Sequence, residues 1–218
     1  MTQALQARHD QAVRQLQLGI TKNAIRELEE LAAIGFHHSQ HSLAYCFETG
    51  LGVKKDIHRA FNLYLLAAKE GNAASQTNIG DYYLRGEFVE QDTPAAFEWF
   101  RQAARQGYPL ASHNMAWLMD QGKGVEHDGA LALKLYQLAY EGGYTKSANN
   151  IGVYYVNGRH VDPDLRLAAL WYERGAQSGD QAASKNLQRL RALKTEFEGK
   201  SLSGILRYAK MWISDGII

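Results

Sequence analysis

The sequence has little cysteine, no long apolar run and almost no net charge. Its single cysteine, Cys46, cannot form an internal disulfide, which fits a reducing compartment. No run approaches the roughly 20 apolar residues of a membrane span, and the first residues lack the apolar stretch of a signal peptide. These absences predict a cytoplasmic protein that does not insert into membranes.

The net charge of +1 gives no general attraction for nucleic acid. The locally basic stretch 185–210 is typical of a solvated helix face. No nucleotide-binding loop, zinc-protease pair, nucleophile elbow or paired-cysteine site occurs in the sequence. We therefore expect no enzymatic activity, no cofactor and no nucleic-acid partner.

Glycine recurs at a fixed interval of 36 residues. One series comprises Gly35, Gly71, Gly107, Gly143 and Gly179, a second comprises Gly50, Gly86, Gly122 and Gly158, and an aspartate series comprises Asp56, Asp92, Asp128 and Asp164. A glycine that closes an apolar run supplies the left-handed residue just past a helix end. An aspartate before the next run caps a helix start. The spacing therefore predicts two helices in each repeat.

Both predicted helices carry an apolar stripe. The first, helix A, has Ser75, Ile79, Tyr82 and Tyr83 in one copy, at the spacing of a single helix face. The second, helix B, has the pattern Ala60, Phe61, Tyr64, Ala67 and Ala68. Small residues at Gly80, Ala116 and Gly152 leave room for aromatic neighbours. Such pairs cannot bury their apolar faces alone, so they are expected to stack.

The phrases "SQTNIGDYYLRG" with "FEWFRQAARQG", and "SANNIGVYYVNG" with "LWYERGAQSG", resemble the Sel-1-like repeat family of the tetratricopeptide-like superfamily, in its cysteine-free branch. The resemblance implies an all-α, right-handed superhelical solenoid of antiparallel helix pairs. We expect one domain over 1–218, with a divergent cap repeat at 1–35, four repeats at 36–179 and capping helices at 180–218. The loops "GEFV" at 86–89 and "GRHV" at 158–161 lose the family's second glycine and are expected to be less regular.

The resemblance also implies that the A helices line a concave groove and that the chain is a non-catalytic protein- or peptide-binding adaptor or scaffold. The predicted groove positions vary from copy to copy, which is typical of selective recognition. They are His41, Tyr45, Glu48, Thr77, Asp81, Arg85, His113, Trp117, Asp120, Gln121, Asn149, Val153 and Asn157. Trp117 would be the anchor, and Asp81 and Asp120 would favour a basic or amide-rich partner segment.

Three alternatives stay open. The chain could be a stoichiometric neutralising protein of the immunity type, or an assembly protein that forms a homodimer through the apolar stretch 201–218. It could also be a metal-dependent enzyme, since His37 and His41 lie four residues apart on one helix face. The remaining signals favour structure: Cys46 occupies an apolar slot, and the series Asn78, Asn114, Asn150 and Asn186 recurs at the repeat interval.

Overall fold

Every regular element in residues 2–196, the part that a computed structural model describes, is an α-helix. The helices are α1 (Thr2–Gln17), α2 (Thr21–Ala33), α3 (His37–Thr49), α4 (Ile57–Lys69), α5 (Ala73–Arg85), α6 (Thr93–Arg105), α7 (Pro109–Gln121), α8 (Gly129–Glu141), α9 (Ser147–Asn157), α10 (Leu165–Gln177) and α11 (Gln181–Glu196). The predicted all-α class of helix pairs is confirmed. The stretch 201–218, predicted to cap the chain or to form a homodimer, lies outside the described residues.

The helices form two compact units, Met1–Tyr108 (unit 1) and Pro109–Ile218 (unit 2). In unit 1 each of α1 to α5 packs against the helix that follows it. In unit 2 the same holds for α7 to α10. Stacking in chain order is the packing of a helical repeat protein, in which each element contacts only its neighbours. The predicted single domain over 1–218 stays a prediction.

The helix ends follow the glycine and aspartate series. All nine glycines of the two series have positive φ, from 60° to 102°. The carboxylates of Asp56, Asp92, Asp128 and Asp164 each accept a hydrogen bond from a first-turn amide of the following helix. These contacts satisfy donors that a helix leaves unpaired at its start. The predicted caps are therefore confirmed.

In the loop at 158–161, which lacks the second glycine of the family's loop, a different residue type adopts the left-handed conformation. Gly52 and Gly124 have φ of 72° and 67°, and His160, which occupies the same repeat position, has φ of 57°. The β-carbon of a histidine is sterically unfavourable at positive φ, whereas glycine has no β-carbon and avoids this cost. The loop at 158–161 thus departs from the family in sequence but keeps the family's backbone conformation at this residue.

Small residues on the A helices let aromatic side chains from the B helices close in. A β-carbon added at Gly80 would lie 2.5 Å from the Phe100 ring, and one added at Gly152 would lie 2.5 Å from the Tyr172 ring. Phe100 and Tyr172 are fully buried. The predicted small-to-aromatic packing is therefore observed in both units.

The ends of the described chain follow the same rules. Residues 2–33 form a helix pair in which the predicted positions Ala24, Ile25, Leu28 and Leu31 are buried. At the other end, Ala183 and Leu187 of α11 are buried in register with earlier A helices. Cys46 is fully buried, and burial raises the pKa of its thiol to about 11. The expectation that the Cys46 side chain is packed in the interior is confirmed, and its low reactivity stays a prediction.

Candidate functional site

The A helices α3, α5, α7 and α9 carry all of the predicted groove residues. In unit 1, His41 and Glu48 form a polar cluster with three residues from α4 and α5. His41 of α3 places Nδ1 2.9 Å from Ser75 Oγ of α5, and its ring centroid lies 5.4 Å from that of Tyr64. Tyr64 of α4 and Tyr82 of α5 both donate their hydroxyls to Glu48, at 2.9 and 2.8 Å. One carboxylate therefore joins three consecutive helices. We call these five residues the unit 1 cluster.

Unit 2 contains an equivalent cluster two repeats later. His113 Nδ1 lies 2.8 Å from Ser147 Oγ, and the His113 ring lies 5.2 Å from the Tyr136 ring. Tyr154 donates its hydroxyl to Asp120 at 2.5 Å. These five residues, the unit 2 cluster, reproduce the unit 1 cluster position by position, with aspartate in place of glutamate.

Burial sets the protonation states in both clusters. It lowers the pKa of His41 and of His113 to about 4, so both imidazoles are neutral at pH 7. Burial is also the largest cause of the raised pKa of Tyr64, Tyr82 and Tyr154, and the adjacent carboxylates raise it further. Because a phenol stays protonated under these conditions, it can only donate to the carboxylate.

The recurring asparagines take part in this packing. Asn78 lies close enough to the Tyr64 hydroxyl to oppose the rise in its pKa, and Asn150 does the same for Tyr136. Asn186 donates instead to Asn149 Oδ1, at 2.9 Å. The predicted structural role therefore holds for Asn78, Asn150 and Asn186.

The clusters explain part of the sequence variation that predicted a selective groove. In the alternate A helices, Thr77 and Asn149 replace the histidine, while Leu84 and Val156 replace the acid. The four positions thus follow a period of two repeats and are not independent from copy to copy. The recurrence of His41 as His113, and of Glu48 as Asp120, is the sequence signal that could have revealed the clusters.

Three predicted groove residues point at least partly into the fold: Thr77 is buried, and Val153 and Asn157 are partly buried. Thr77 has 1% of its surface exposed and donates its hydroxyl to the Ala73 carbonyl, so its placement in an exposed lining is wrong. Val153 packs against the apolar cluster at the end of unit 2. Asn157 Nδ2 is buried, with no hydrogen-bond partner among the described residues. Helix packing, which turns these side chains inward, is the physical reason in each case.

Other groove residues do present surface. Tyr45 is 51% exposed, Arg85 and Gln121 are exposed, and Asp81 is partly exposed beside Arg85 at 3.7 Å. Trp117 is partly buried, and the Lys123 ammonium lies 4.4 Å from the centroid of its ring. The predicted anchor therefore already has an intramolecular cation on one face.

Among the cavities beside α3 in unit 1, two are lined by predicted groove residues. The acidic pocket, of about 190 Å³, is lined by Glu48, Asn78, Asp81, Tyr82, Arg85 and Glu87. The apolar cleft, of about 260 Å³, is lined by Val13, Leu16, Gln17, His41, Ser42, Tyr45 and Leu51. Tyr45 in the cleft and Glu48 in the pocket stand about one helical turn apart on α3.

The histidine pair proposed for a metal points in two directions. His41 faces Ser75, whereas His37 lies beside His38, with ring centroids 4.2 Å apart, and beside Asn72. Within the described residues, no group of three or more histidine, cysteine, aspartate or glutamate side chains is placed to hold a metal ion. The pair is thus divided between two environments.

Four consecutive segments, 37–72, 73–108, 109–144 and 145–180, match the Sel1 repeat. The chain belongs to the Sel1 repeat family. Proteins built from Sel1 repeats generally act as scaffolds for protein–protein interaction and are typically not enzymes. None of the described helices of this Sel1 repeat protein is long and apolar enough to cross a membrane.

Solved structures share the fold. A Sel1 repeat protein from Oxalobacter formigenes is 30% identical, with a TM-score of 0.72, over 81% of this chain and 73% of the other. The protective antigen c5321 from uropathogenic Escherichia coli is 25% identical, with a TM-score of 0.74, over 99% of this chain and 49% of its own. The chain thus spans about half the length of c5321.

Proposed function

We propose that this Sel1 repeat protein is a non-catalytic adaptor or scaffold that binds a protein or peptide partner through the exposed faces of its A helices. The observation that carries the proposal is the fixed carboxylate in each unit. Glu48 and Asp120 are held by tyrosine hydroxyls, and among the described residues no lysine or arginine lies within ion-pair distance of either one. A pre-organised, partly exposed carboxylate without a cation is suited to a basic group on a partner.

The surfaces beside these carboxylates support the same function. Tyr45 is half exposed next to Glu48, and large amphipathic rings of this kind are favoured at interfaces because they bury much area with few rotatable bonds. Trp117 stands at the equivalent position in unit 2 and carries Lys123 on its ring. The A-helix faces therefore combine aromatic surface with acidic groups in both units.

The histidines of the clusters fit binding better than catalysis. His41 and His113 have a pKa of about 4 and each has Nδ1 engaged with a serine. An imidazole with such a low pKa is a weak base at neutral pH, whereas a catalytic base works best with a pKa near the operating pH. We therefore assign these histidines to helix packing.

A comparison of two surfaces tests the proposal. The double variant Trp117→Ala with Asp81→Ala alters the A helices, and the control Leu66→Ala with Leu138→Ala removes exposed leucines from the B helices α4 and α8. Titration calorimetry with a purified partner should show the A-helix variant weakened by about 2 kcal/mol or more and the control unchanged. A folded A-helix variant that binds as the parent does would contradict the proposal.

A further inference from the structure

The apolar cleft of unit 1 has an exposed aromatic wall. Tyr45 is 51% exposed and Leu51 is 38% exposed, and Val13 and Leu16 of α1 also line the cleft. A cavity of about 260 Å³ is large enough for one or two apolar side chains of a partner, although not for a drug-sized molecule. The cleft is therefore suited to a side chain that projects from a longer segment.

The acidic pocket makes this surface predominantly acidic. Glu48, Asp81 and Glu87 contribute three carboxylates, against one cation, Arg85, which lies 3.7 Å from Asp81 and 3.8 Å from Glu87. Burial is the largest cause of the raised pKa of Asp81, and Arg85 opposes the shift. With three carboxylates against one cation, the acidic pocket has an excess of acidic groups. A second cation would find a complementary potential here.

Unit 2 shows which kind of group the equivalent aromatic position accepts. Trp117 occupies the position of Tyr45, and Lys123 places its ammonium 4.4 Å from the Trp117 ring centroid. In unit 1 the residue at the position of Lys123 is Leu51. Unit 1 therefore keeps the aromatic ring and the nearby carboxylate but supplies a leucine where unit 2 supplies the cation.

We propose that this face of unit 1 binds a peptide segment of a protein partner in which an apolar side chain stands next to a lysine or arginine. The apolar side chain enters the cleft formed by Val13, Leu16, Tyr45 and Leu51. The cation lies against the Tyr45 ring and the carboxylates of Glu48 and Asp81. This inference rests on the proposed function and specifies the chemistry of the partner.

Four labelled peptides of equal length test the pairing. They combine either leucine or serine with either lysine or glutamate in an otherwise identical neutral sequence, and binding to the full chain is followed by fluorescence anisotropy at two salt concentrations. The leucine–lysine peptide should bind best, by about tenfold over each single replacement, and should weaken at high salt. Equal or undetectable binding of all four peptides would overturn the inference.

Variants locate the two contacts. Tyr45→Ala should reduce the advantage of leucine over serine, and Glu48→Gln with Asp81→Asn should reduce the advantage of lysine over glutamate, each by about tenfold. Asp120→Asn, the matched change in unit 2, should leave both advantages intact. Equal effects of the unit 1 and unit 2 changes would also overturn the inference.

The outcomes separate this inference from the proposed function. Suppose that the peptides show no preference while the Trp117→Ala and Asp81→Ala variant still loses a purified partner. The partner chemistry assigned to unit 1 would then be wrong, and binding through the A helices would stand. If the Trp117→Ala and Asp81→Ala variant instead bound the partner as the parent does, the proposed function itself would be wrong.

Discussion

Tyr64 of α4 donates its hydroxyl to the carboxylate of Glu48 on α3, at 2.9 Å, and so ties a B helix to the A helix of the same repeat. Tyr172, three repeats later, is equally buried, but its hydroxyl has no partner among the described residues. The difference arises because Val156 stands where Glu48 stands in the first repeat. The same tyrosine is thus satisfied in one repeat and unsatisfied in another.

Removing the two hydroxyls should have opposite effects. Tyr64→Phe should lower the free energy of unfolding by about 1–2 kcal/mol, because it deletes a bond to a charged acceptor. Tyr172→Phe should be neutral or stabilising by up to about 1 kcal/mol, because it deletes an unsatisfied buried group. Urea denaturation followed by circular dichroism measures both. A larger loss for Tyr172→Phe than for Tyr64→Phe would contradict the assignment.

The buried histidines predict a loss of stability in mild acid. An unfolded histidine titrates near pH 6.5, whereas His41 and His113 titrate at about 4 in the folded chain. Between these values the unfolded chain binds more protons, so the free energy of unfolding falls as the pH decreases from about 6.5 to 4. Each histidine should contribute about 2–3 kcal/mol to this fall.

Denaturation at several pH values tests this dependence. His41→Gln and His113→Gln should each flatten the profile between about pH 6.5 and 5, where carboxylates contribute little. His127→Gln, at an exposed histidine, is the control and should leave the profile unchanged. If the control flattens the profile as much as the cluster variants do, burial of His41 and His113 is not the cause.

The helix boundaries could be predicted from the sequence because they depend on local backbone chemistry. A glycine such as Gly86, at φ 66°, and an aspartate such as Asp92, which caps α6, act within a few residues of their own position. Their recurrence at one interval also predicted the repeat. The stacking of Phe100 on Gly80 followed because a small residue facing an aromatic one leaves few other arrangements.

The site was harder to predict because its contacts cross helices. The register correctly left Tyr45 exposed but misplaced Thr77, whose exposure depends on how closely the neighbouring helices approach. Ser75 and Tyr82 were assigned to the core, and their bonds to His41 and Glu48 gave no local sequence signal. The cluster residues become recognisable only when every second repeat is compared, because they recur at that interval and not in adjacent repeats.

Gly80 tests the packing between A and B helices. Gly80→Val should destabilise the chain by about 1–3 kcal/mol or more, because its β-carbon would lie 2.5 Å from the Phe100 ring and the ring must move. Phe100→Leu should recover part of this loss in the double variant, because it frees volume at the same place. A double-mutant cycle from urea denaturation gives the coupling. Additive effects would show that the two residues do not share the contact.

The reactivity of Cys46 tests whether the interior of the first Sel1 repeat, 37–72, opens only on unfolding. Its thiol is fully buried, with a pKa of about 11, so only about one molecule in a thousand would carry a thiolate at pH 8 even if reagent reached it. Labelling with a thiol reagent should therefore be slow in buffer and fast in denaturant. The control is Thr49→Cys in a Cys46→Ser background, which places a thiol on the exposed surface of the same helix and should react at once. Equal labelling rates for the two thiols in buffer would mean that α3 does not hold Cys46 inside, and the packing of the first Sel1 repeat would need revision.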